Sequence, residues 1–433
     1  MNAKTTKCWG WPKVPPRFTA AALAGHSAVG LAFGALIYLV CLTGTVSVLV
    51  DEMKLVEQPT PAAASPKSGA LNAAIAAALA KGPATNLYAI APVTPRQRLT
   101  VSTSGPSGER SYIADAEGRL TPLRTPFTDF VTELHMTLTA PAPWGSLVVG
   151  LIGAALLSLI LSGVLSHPRI FRDAFRLKLN GSERLREAEL HNRLSVWGLP
   201  FHVAVTLTGA LFGLANLAVM TVAAIGFHGN IGRVYAPIVG PEPKADAVAA
   251  PLPDIEAIVA RATAAMPGAR LYYVGIERPL TRGSRIRVEV TAPTRLPRGE
   301  DFYFDAAGRE IGRGRFATGD LGLQAFSGAA QLHFGFFGGL PVRLVYVLLG
   351  AALTFVSASG ITIWLARQAD KGHPRPRFFR AWLAWTWGVP FSLAMSALLS
   401  PTLSVPETFV VSCTAIQIGT AVIGRRREYR KPI

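Results

Sequence analysis

The chain has 433 residues, half of them hydrophobic and 16% charged, which is too apolar for a water-soluble protein with one exposed surface. Its net charge of +17 first suggests a nucleic-acid partner, but the distribution of that charge excludes one. Residues 1–25, 167–193, 367–380 and 425–433 carry 21 of the 43 Lys and Arg residues against six Asp and Glu, so the basic residues mark one side of a membrane, as the positive-inside bias predicts.

Windows of about 20 apolar residues, enough to cross a hydrocarbon core of ~30 Å, predict spans over roughly 27–50, 145–166, 195–220, 342–366, 381–400 and 405–424. In chain order the expected domains are a basic cytoplasmic arm at 1–25, a first span at 26–50 and an outer module at 51–127. A lead-in helix and second span occupy 128–166, followed by a basic loop at 167–193, a third span at 194–226 and a second outer module at 227–320. A lead-in helix and fourth span fill 321–366, a loop 367–380, spans five and six 381–424, and a basic tail 425–433. The first span lacks a small-residue cleavage site and carries His26, so it is expected to remain as a signal anchor. The third apolar run exceeds what a bilayer needs, and its far end should project or bend. Cys8, Cys41 and Cys413 are scattered, without the spacing of a disulfide framework or a Cys-ligated cluster.

Both large loops change from helical to alternating periodicity. An Ala-rich helix at 70–81 precedes expected strands at 87–90, 98–102 and 111–114 and the turn Asp115-Ala116-Glu117-Gly118-Arg119. A helix at 254–266 precedes strands near 271–277, 285–291 and 301–305 and the turn Asp305-Ala306-Ala307-Gly308-Arg309. The match argues for duplication of a small α+β module. The predicted fold is therefore a mainly α-helical integral membrane protein, with about six transmembrane helices, two inserted α+β modules and internal duplication. A third beginning shows in Trp387-Gly388-Val389-Pro390-Phe391, which echoes Trp197-Gly198-Leu199-Pro200-Phe201 with Ala381 in the place of His191.

Histidines mark each repeat. His26 and His191 each stand eighteen residues before the Gly of a Leu-Thr-Gly triplet, Gly44 and Gly209, which is five helical turns on one face. Leu134-His135 and Leu332-His333 precede the second and fourth spans, which carry Ser162-Gly163 and Ser359-Gly360 near their inner ends. Alternating topology puts His26 and His191 at one depth and His135 and His333 at the other. Neutral imidazoles are strong axial ligands of haem iron, and two bis-His haems would carry electrons across the insulating layer. The bland alternative is that each His is an interfacial anchor. Gly44, Gly209, Gly163 and Gly360 would let a porphyrin approach the helix backbone, although small-residue helix packing explains them equally well. His202, eleven residues beyond His191, could replace one ligand, mark a quinone or proton site, or bond a neighbouring helix. Glu133 could orient His135, and Arg193 could pair a haem propionate. His167, His228 and His373 read as interfacial residues.

The His191 segment with its WGLPF and LTG, the two Leu-His lead-ins, the Ser-Gly endings and the paired DAxGR loops resemble the PepSY-associated transmembrane family. That family includes haem-containing reductases of ferric siderophores in bacterial inner membranes. The resemblance covers residues 20 to 400. It implies periplasmic PepSY-like modules, both termini in the cytoplasm and two haem b groups ligated by His26, His191, His135 and His333. It also implies one-electron reduction of a periplasmic ferric siderophore or other Fe(III) chelate. No GxGxxG in a βαβ setting is present, and the segments assigned to the cytoplasm are too short for a flavin or nicotinamide domain. Electrons are therefore expected from membrane quinol or a cytoplasmic reductase. The alternative is a sensor or regulatory membrane protein whose modules bind a periplasmic protein or peptide without redox chemistry. Buried carboxylate chains of the kind that mark transporters are missing from the spans.

Overall fold

A computed structural model describes residues 15–428, apart from 60–66, 95, 107, 142, 168–169, 178–181, 240–242, 293–295 and 297–298. The expectations for Cys8, for most of the N-terminal arm and for the last five residues lie outside the described residues. In chain order, α1 (Pro16–Ser47), α2 (Val50–Glu57) and α3 (Ala70–Leu79) lead to β1 (Asn86–Ile90), β2 (Thr100–Gly105), β3 (Gly108–Ala114) and β4 (Leu120–Pro122). Next come α4 (Pro126–Thr137), α5 (Trp144–Ser166), α6 (Glu183–Trp197), α7 (Leu199–Gly226), α8 (Ile231–Val239) and α9 (Ile255–Ala264). The remainder is β5 (Arg270–Glu277), β6 (Arg285–Thr291), β7 (Gly299–Asp305), β8 (Glu310–Arg313), α10 (Leu321–Phe334), α11 (Gly339–Asp370), α12 (Pro376–Leu399) and α13 (Val405–Glu428).

The chain forms two compact units, one of Met1–Val48, Pro126–Asn216 and Arg343–Ile433, the other of Leu49–Thr125 and Leu217–Val342. Among the described residues six helices, α1, α5, α7, α11, α12 and α13, are long and apolar enough to cross a membrane, and a lipid bilayer is their solvent. The first unit is their helical bundle. The helix α5 crosses α7 at contact distance because Gly150 faces Gly213, where a Cβ on Gly150 would come within 2.7 Å of the Gly213 carbonyl carbon. Indole and phenol donors tie α12 to its neighbours: Tyr38 Oη donates to the Thr386 carbonyl at 2.6 Å, and Trp382 Nε1 donates to the Ala358 carbonyl at 3.2 Å.

Three span boundaries differ from the sequence reading. Helix α1 begins at Pro16, whose ring suits the first helical position, so His26 lies almost three turns inside the helix and not at its mouth. His191 belongs to α6, a separate helix that stops at Trp197, with Gly198 between it and α7. Helix α7 runs to Gly226 and ends where His228 and Gly229 take positive φ (51° and 82°), which supplies the bend expected of an apolar run about 42 Å long. In α12 the echoing WGVPF segment causes no break; Pro390 sits inside a continuous helix.

The second unit is built on one antiparallel sheet of order β4-β3-β2-β1-β5-β6-β7-β8. Both loop segments contribute a helix and four strands, and they join through β1 and β5, with Asn86 opposite Glu277 and Ile90 opposite Tyr273. Alternation in the strands sends Leu87, Val101, Val274, Ile286 and Phe302 into one core with Ile75 of α3 and Ile258 of α9. The two module helices cap each other. Glu256 accepts from the backbone N–H groups of Gly69 (2.7 Å) and Leu71 (3.0 Å), while Asn72 Oδ1 accepts from those of Ile255 (3.0 Å) and Glu256 (3.3 Å). Each N-terminus thus finds acceptors for its orphan donors on the other helix. The two DAxGR turns fold alike. Asp115 Oδ1 accepts from the N–H of Glu117 and Arg119, Asp305 Oδ1 from those of Ala307 and Arg309, and Gly118 and Gly308 take φ of 84° and 73°.

Candidate functional site

Three histidines are held in similar ways. His26 Nδ1 donates to the Leu159 carbonyl of α5 at 3.0 Å, with Ser162 Oγ at 3.2 Å. His135 Nδ1 donates to the Val40 carbonyl of α1 at 3.0 Å. His191 Nδ1 meets Ser359 Oγ at 3.0 Å, and that hydroxyl in turn donates to the Val356 carbonyl of α11 at 3.2 Å. Each carbonyl lies four residues before a glycine: Val40 before Gly44, Leu159 before Gly163, Val356 before Gly360. In a helix that carbonyl already receives the glycine's own N–H, and its second lone pair is reachable only if no side chain stands in the way. A Cβ on Gly44 would lie 2.6 Å from His135 Cε1; one on Gly163, 3.3 Å from His26 Cε1; one on Gly360, 3.5 Å from His191 Cε1. The glycines are seats for imidazole rings. The sequence reading offered that space to a porphyrin or to helix packing; at Gly44 and Gly163 it lies against an imidazole ring.

The seat fixes the chemistry. A carbonyl only accepts, and the Ser359 hydroxyl, its own proton given to Val356, accepts likewise, so Nδ1 carries the proton and Nε2 keeps its lone pair, the tautomer of a metal-binding histidine oriented by a second partner. Burial, with His26 and His167 nearby, pushes His191 down to about 4, and burial likewise lowers His135. Both rings are neutral donors at physiological pH.

His26 and His191 line one cleft in the first unit, together with His202, and the cleft holds about 120 Å³ of free space, below the ~300–1,000 Å³ of small-molecule and cofactor pockets. Its walls are apolar or small: Leu156 and Ile160 on α5, Gly30 and Gly34 on α1, Ser357 and Gly360 on α11. A Cβ on Gly30 would meet nothing nearer than Leu159 Cδ2 at 3.8 Å, so this glycine, which sequence reasoning passed over, leaves the wall flat. Among the described residues no three His, Cys, Asp or Glu side chains come together as ligands for a bare metal ion. Two imidazole donors beside flat, small-residue walls suit a metal whose remaining ligands come with a planar ring.

The other sequence candidates sort as follows. His135 stands in the first unit. His333 is the penultimate residue of α10 in the second, its ring edge-on to Phe334 at 5.3 Å. His202 is 2% exposed and presses on Gly198, where a Cβ would collide with its ring. Gly209 is half-buried in α7. Glu133 is exposed, so Val40, and not Glu133, orients His135. Arg193 is committed to Glu189 at 2.9 Å, nearly out of solvent, which takes it from the role of propionate partner. His167, His228 and His373 are exposed. Sequence reasoning missed the seat carbonyls, although their signal was readable: an aliphatic residue, two of any kind, then Ser or Thr and Gly recurs at 40–44, 159–163, 205–209 and 356–360.

Residues 23–367 match the family described as the PepSY-associated TM region. An uncharacterized protein of Pseudomonas aeruginosa, PA4219, is 30% identical over 271 residues, covering 59% of this chain and 67% of that protein. With the family match extending over most of its length, from α1 to the end of α11, the chain belongs to the PepSY-associated transmembrane family.

Proposed function

We propose that this protein is a haem-containing electron-transfer protein of the bacterial inner membrane that reduces periplasmic ferric chelates and so frees siderophore iron. The observation that carries the reading is the cleft shared by His26 and His191, the first with Nδ1 tied to the Leu159 carbonyl and the second with Nδ1 tied to the Ser359 hydroxyl, each leaving Nε2 as a bare donor. A haem b bound there would supply a one-electron Fe(III)/Fe(II) couple inside the low-dielectric core. The chain's own part is to hold two neutral imidazoles at fixed orientation, to present a flat wall at Gly30, and to keep water away with Leu156 and Ile160. At the outer level the proposal rests on the sequence repeat, with His135 and His333 as ligands of a second haem. The basic segments put both termini in the cytoplasm and the two modules, read as one duplicated unit, in the periplasm.

Hard oxygen chelators hold Fe(III) far more tightly than Fe(II), so one electron per iron releases the metal. The test is to reduce the purified protein anaerobically, add a ferric hydroxamate or catecholate chelate, and follow both haem reoxidation and Fe(II) capture by a ferrous-specific dye. Stoichiometric capture supports the reading; a reduced protein that leaves every ferric chelate untouched refutes it. The alternative, a sensor in which the modules bind a protein or peptide, predicts that His26→Ala and His191→Ala leave activity intact.

A further inference from the structure

We propose that the turned strap from Ile170 to Leu177, between α5 and α6, binds the headgroup of an anionic phospholipid. The proposal rests on the bilayer that the six spans require and not on the redox reading. Short backbone bonds fold the strap: the Ala174 N–H donates to the Phe171 carbonyl at 3.3 Å, and the Arg176 N–H to the Asp173 carbonyl at 3.0 Å. This folding sorts its side chains into three pairs, each four residues apart. Ile170 and Ala174 are buried against the bundle. Phe171 and Phe175 are 44% and 89% exposed, and Arg172 and Arg176 have 62% and 72% of their side-chain surface open. Leu177, also exposed, extends the apolar side. Among the described residues Phe175 is the most exposed large hydrophobic side chain, which makes water the wrong solvent for this surface.

Two spans fix the level of the strap. It begins four residues after Ser166, where α5 ends, and its Ala174 carbonyl accepts from Trp197 Nε1 at 2.9 Å, two residues before α7 starts at Leu199. Both α5 and α7 are long and apolar enough to cross the bilayer, so the strap is held against the surface where one leaves and the other enters. Trp197 is itself exposed, an indole of the kind enriched at that boundary. Phenyl rings at this level are solvated by acyl chains, and arginine stems run along them to put guanidinium groups among the phosphates. The charge selects the headgroup. Arg172 and Arg176 share one carboxylate, Asp173, at 3.6 and 3.8 Å, beyond hydrogen-bond reach, so one positive charge is uncompensated within the strap and both guanidinium forks are open to phosphate oxygens. A zwitterionic headgroup brings its own cation and gains little there, whereas a headgroup of net negative charge neutralises the strap.

The test places the full-length protein in phosphatidylcholine nanodiscs doped with a photoactivatable phosphatidylglycerol or, in parallel, with a photoactivatable phosphatidylcholine. Lipid adducts are mapped by mass spectrometry after pepsin digestion, in the wild type, in the double variant Arg172→Gln with Arg176→Gln, and in Phe175→Ser. The expected result in the wild type is an excess of phosphatidylglycerol over phosphatidylcholine adducts on residues 170–177. That excess should fall roughly fivefold or more in the double variant, the factor that one basic residue supplies near an anionic surface. It should also shrink in about 1 M salt, where charges are screened beyond about 3 Å. Phe175→Ser should lose adducts of both lipids. Labelling of α11 by either probe should be the same in all three proteins, which reports an intact bundle, and the comparison of the two lipids in the wild type needs no variant. Equal labelling of the strap by the two lipids in the wild type, or an undiminished excess in the double variant, overturns the headgroup site. Unchanged labelling in Phe175→Ser would place the rings in water, against the proposal. A strap that neither lipid labels overturns the proposal as a whole and leaves this surface to an acidic partner from the aqueous phase.

Discussion

Replacing Gly44 with alanine tests the histidine seats most sharply, because the added atom has a calculable consequence. Its Cβ would lie 2.6 Å from His135 Cε1 and 2.9 Å from Nδ1, so the ring must leave the Val40 carbonyl. The lost hydrogen bond costs about 1 kcal/mol and the overpacking about 1–3 kcal/mol. Alanine's better helix propensity returns up to about 1 kcal/mol, leaving a net destabilisation of roughly 1–3 kcal/mol. The same change at Gly163, with His26 Cε1 at 3.3 Å, needs a shift of a few tenths of an ångström and should cost about 1 kcal/mol or less before the propensity gain. At Gly25 a Cβ meets nothing within 4 Å, and alanine there should be neutral or mildly stabilising. Denaturant unfolding in detergent micelles, with ring NMR signals of His135 as a local readout, would rank the three. If Gly44→Ala is as stable as Gly25→Ala and His135 keeps its Nδ1–H bond, the seat argument is wrong.

Other expectations concern the second unit and a strained turn. Glu256→Ala uncaps two N–H groups of α3, and unfolding of this unit should shift by about 1–3 kcal/mol, the range for hydrogen bonds to a charged acceptor; an unchanged midpoint would show that water serves as well. Asp305 is held below its usual 3.8: burial opposes this, and the N–H groups and guanidinium of Arg309 outweigh it. Because the folded value is depressed, its stabilisation is present above the unfolded value and fades as pH falls through the folded one. The stability gap between wild type and Asp305→Asn should therefore be constant at neutral pH and narrow below about pH 4; a gap that instead widens in acid would contradict the assignment. Helix α4 is followed by Leu138 and Thr139, both non-glycine residues at positive φ (54° and 58°). Thr139→Gly should relieve strain and raise stability by about 1 kcal/mol, read in the same unfolding assay.

Much of this was legible in the sequence, for identifiable reasons. Membrane helices declare themselves because lipid demands long apolar runs, and the two DAxGR turns because an Asp side chain must cap its own loop while Gly takes positive φ. Helix ends were less legible. Ala20 to Ala24 prolong α1 toward Pro16 without adding strong hydropathy, and Gly198 divides α6 from α7 inside what reads as one run. Strands β4 and β8 are only three and four residues long, too short to show alternation, and no periodicity says that β1 and β5 will pair. At the site, the residue types were readable from the spacing of His26, His191, Gly44 and Gly163. The seats were not, because a carbonyl has no signature of its own; only the packing of α1 on α5 and of α6 on α11 shows which histidine reaches which glycine. His202 shares its cleft with residues of α1, α5 and α11, and its burial could not be read from its own helix.

The central claim is that His26 and His191 together hold a haem. The most direct measurement is the haem content and visible spectrum of the protein, purified after haem-sufficient expression, compared with His191→Ala. The account predicts two haem b per chain with bis-His, low-spin bands in the wild type. The variant should keep one low-spin haem and lose or convert the other to high spin. A wild-type protein without a Soret band, or a His191→Ala protein with unchanged haem content and spin state, would contradict it.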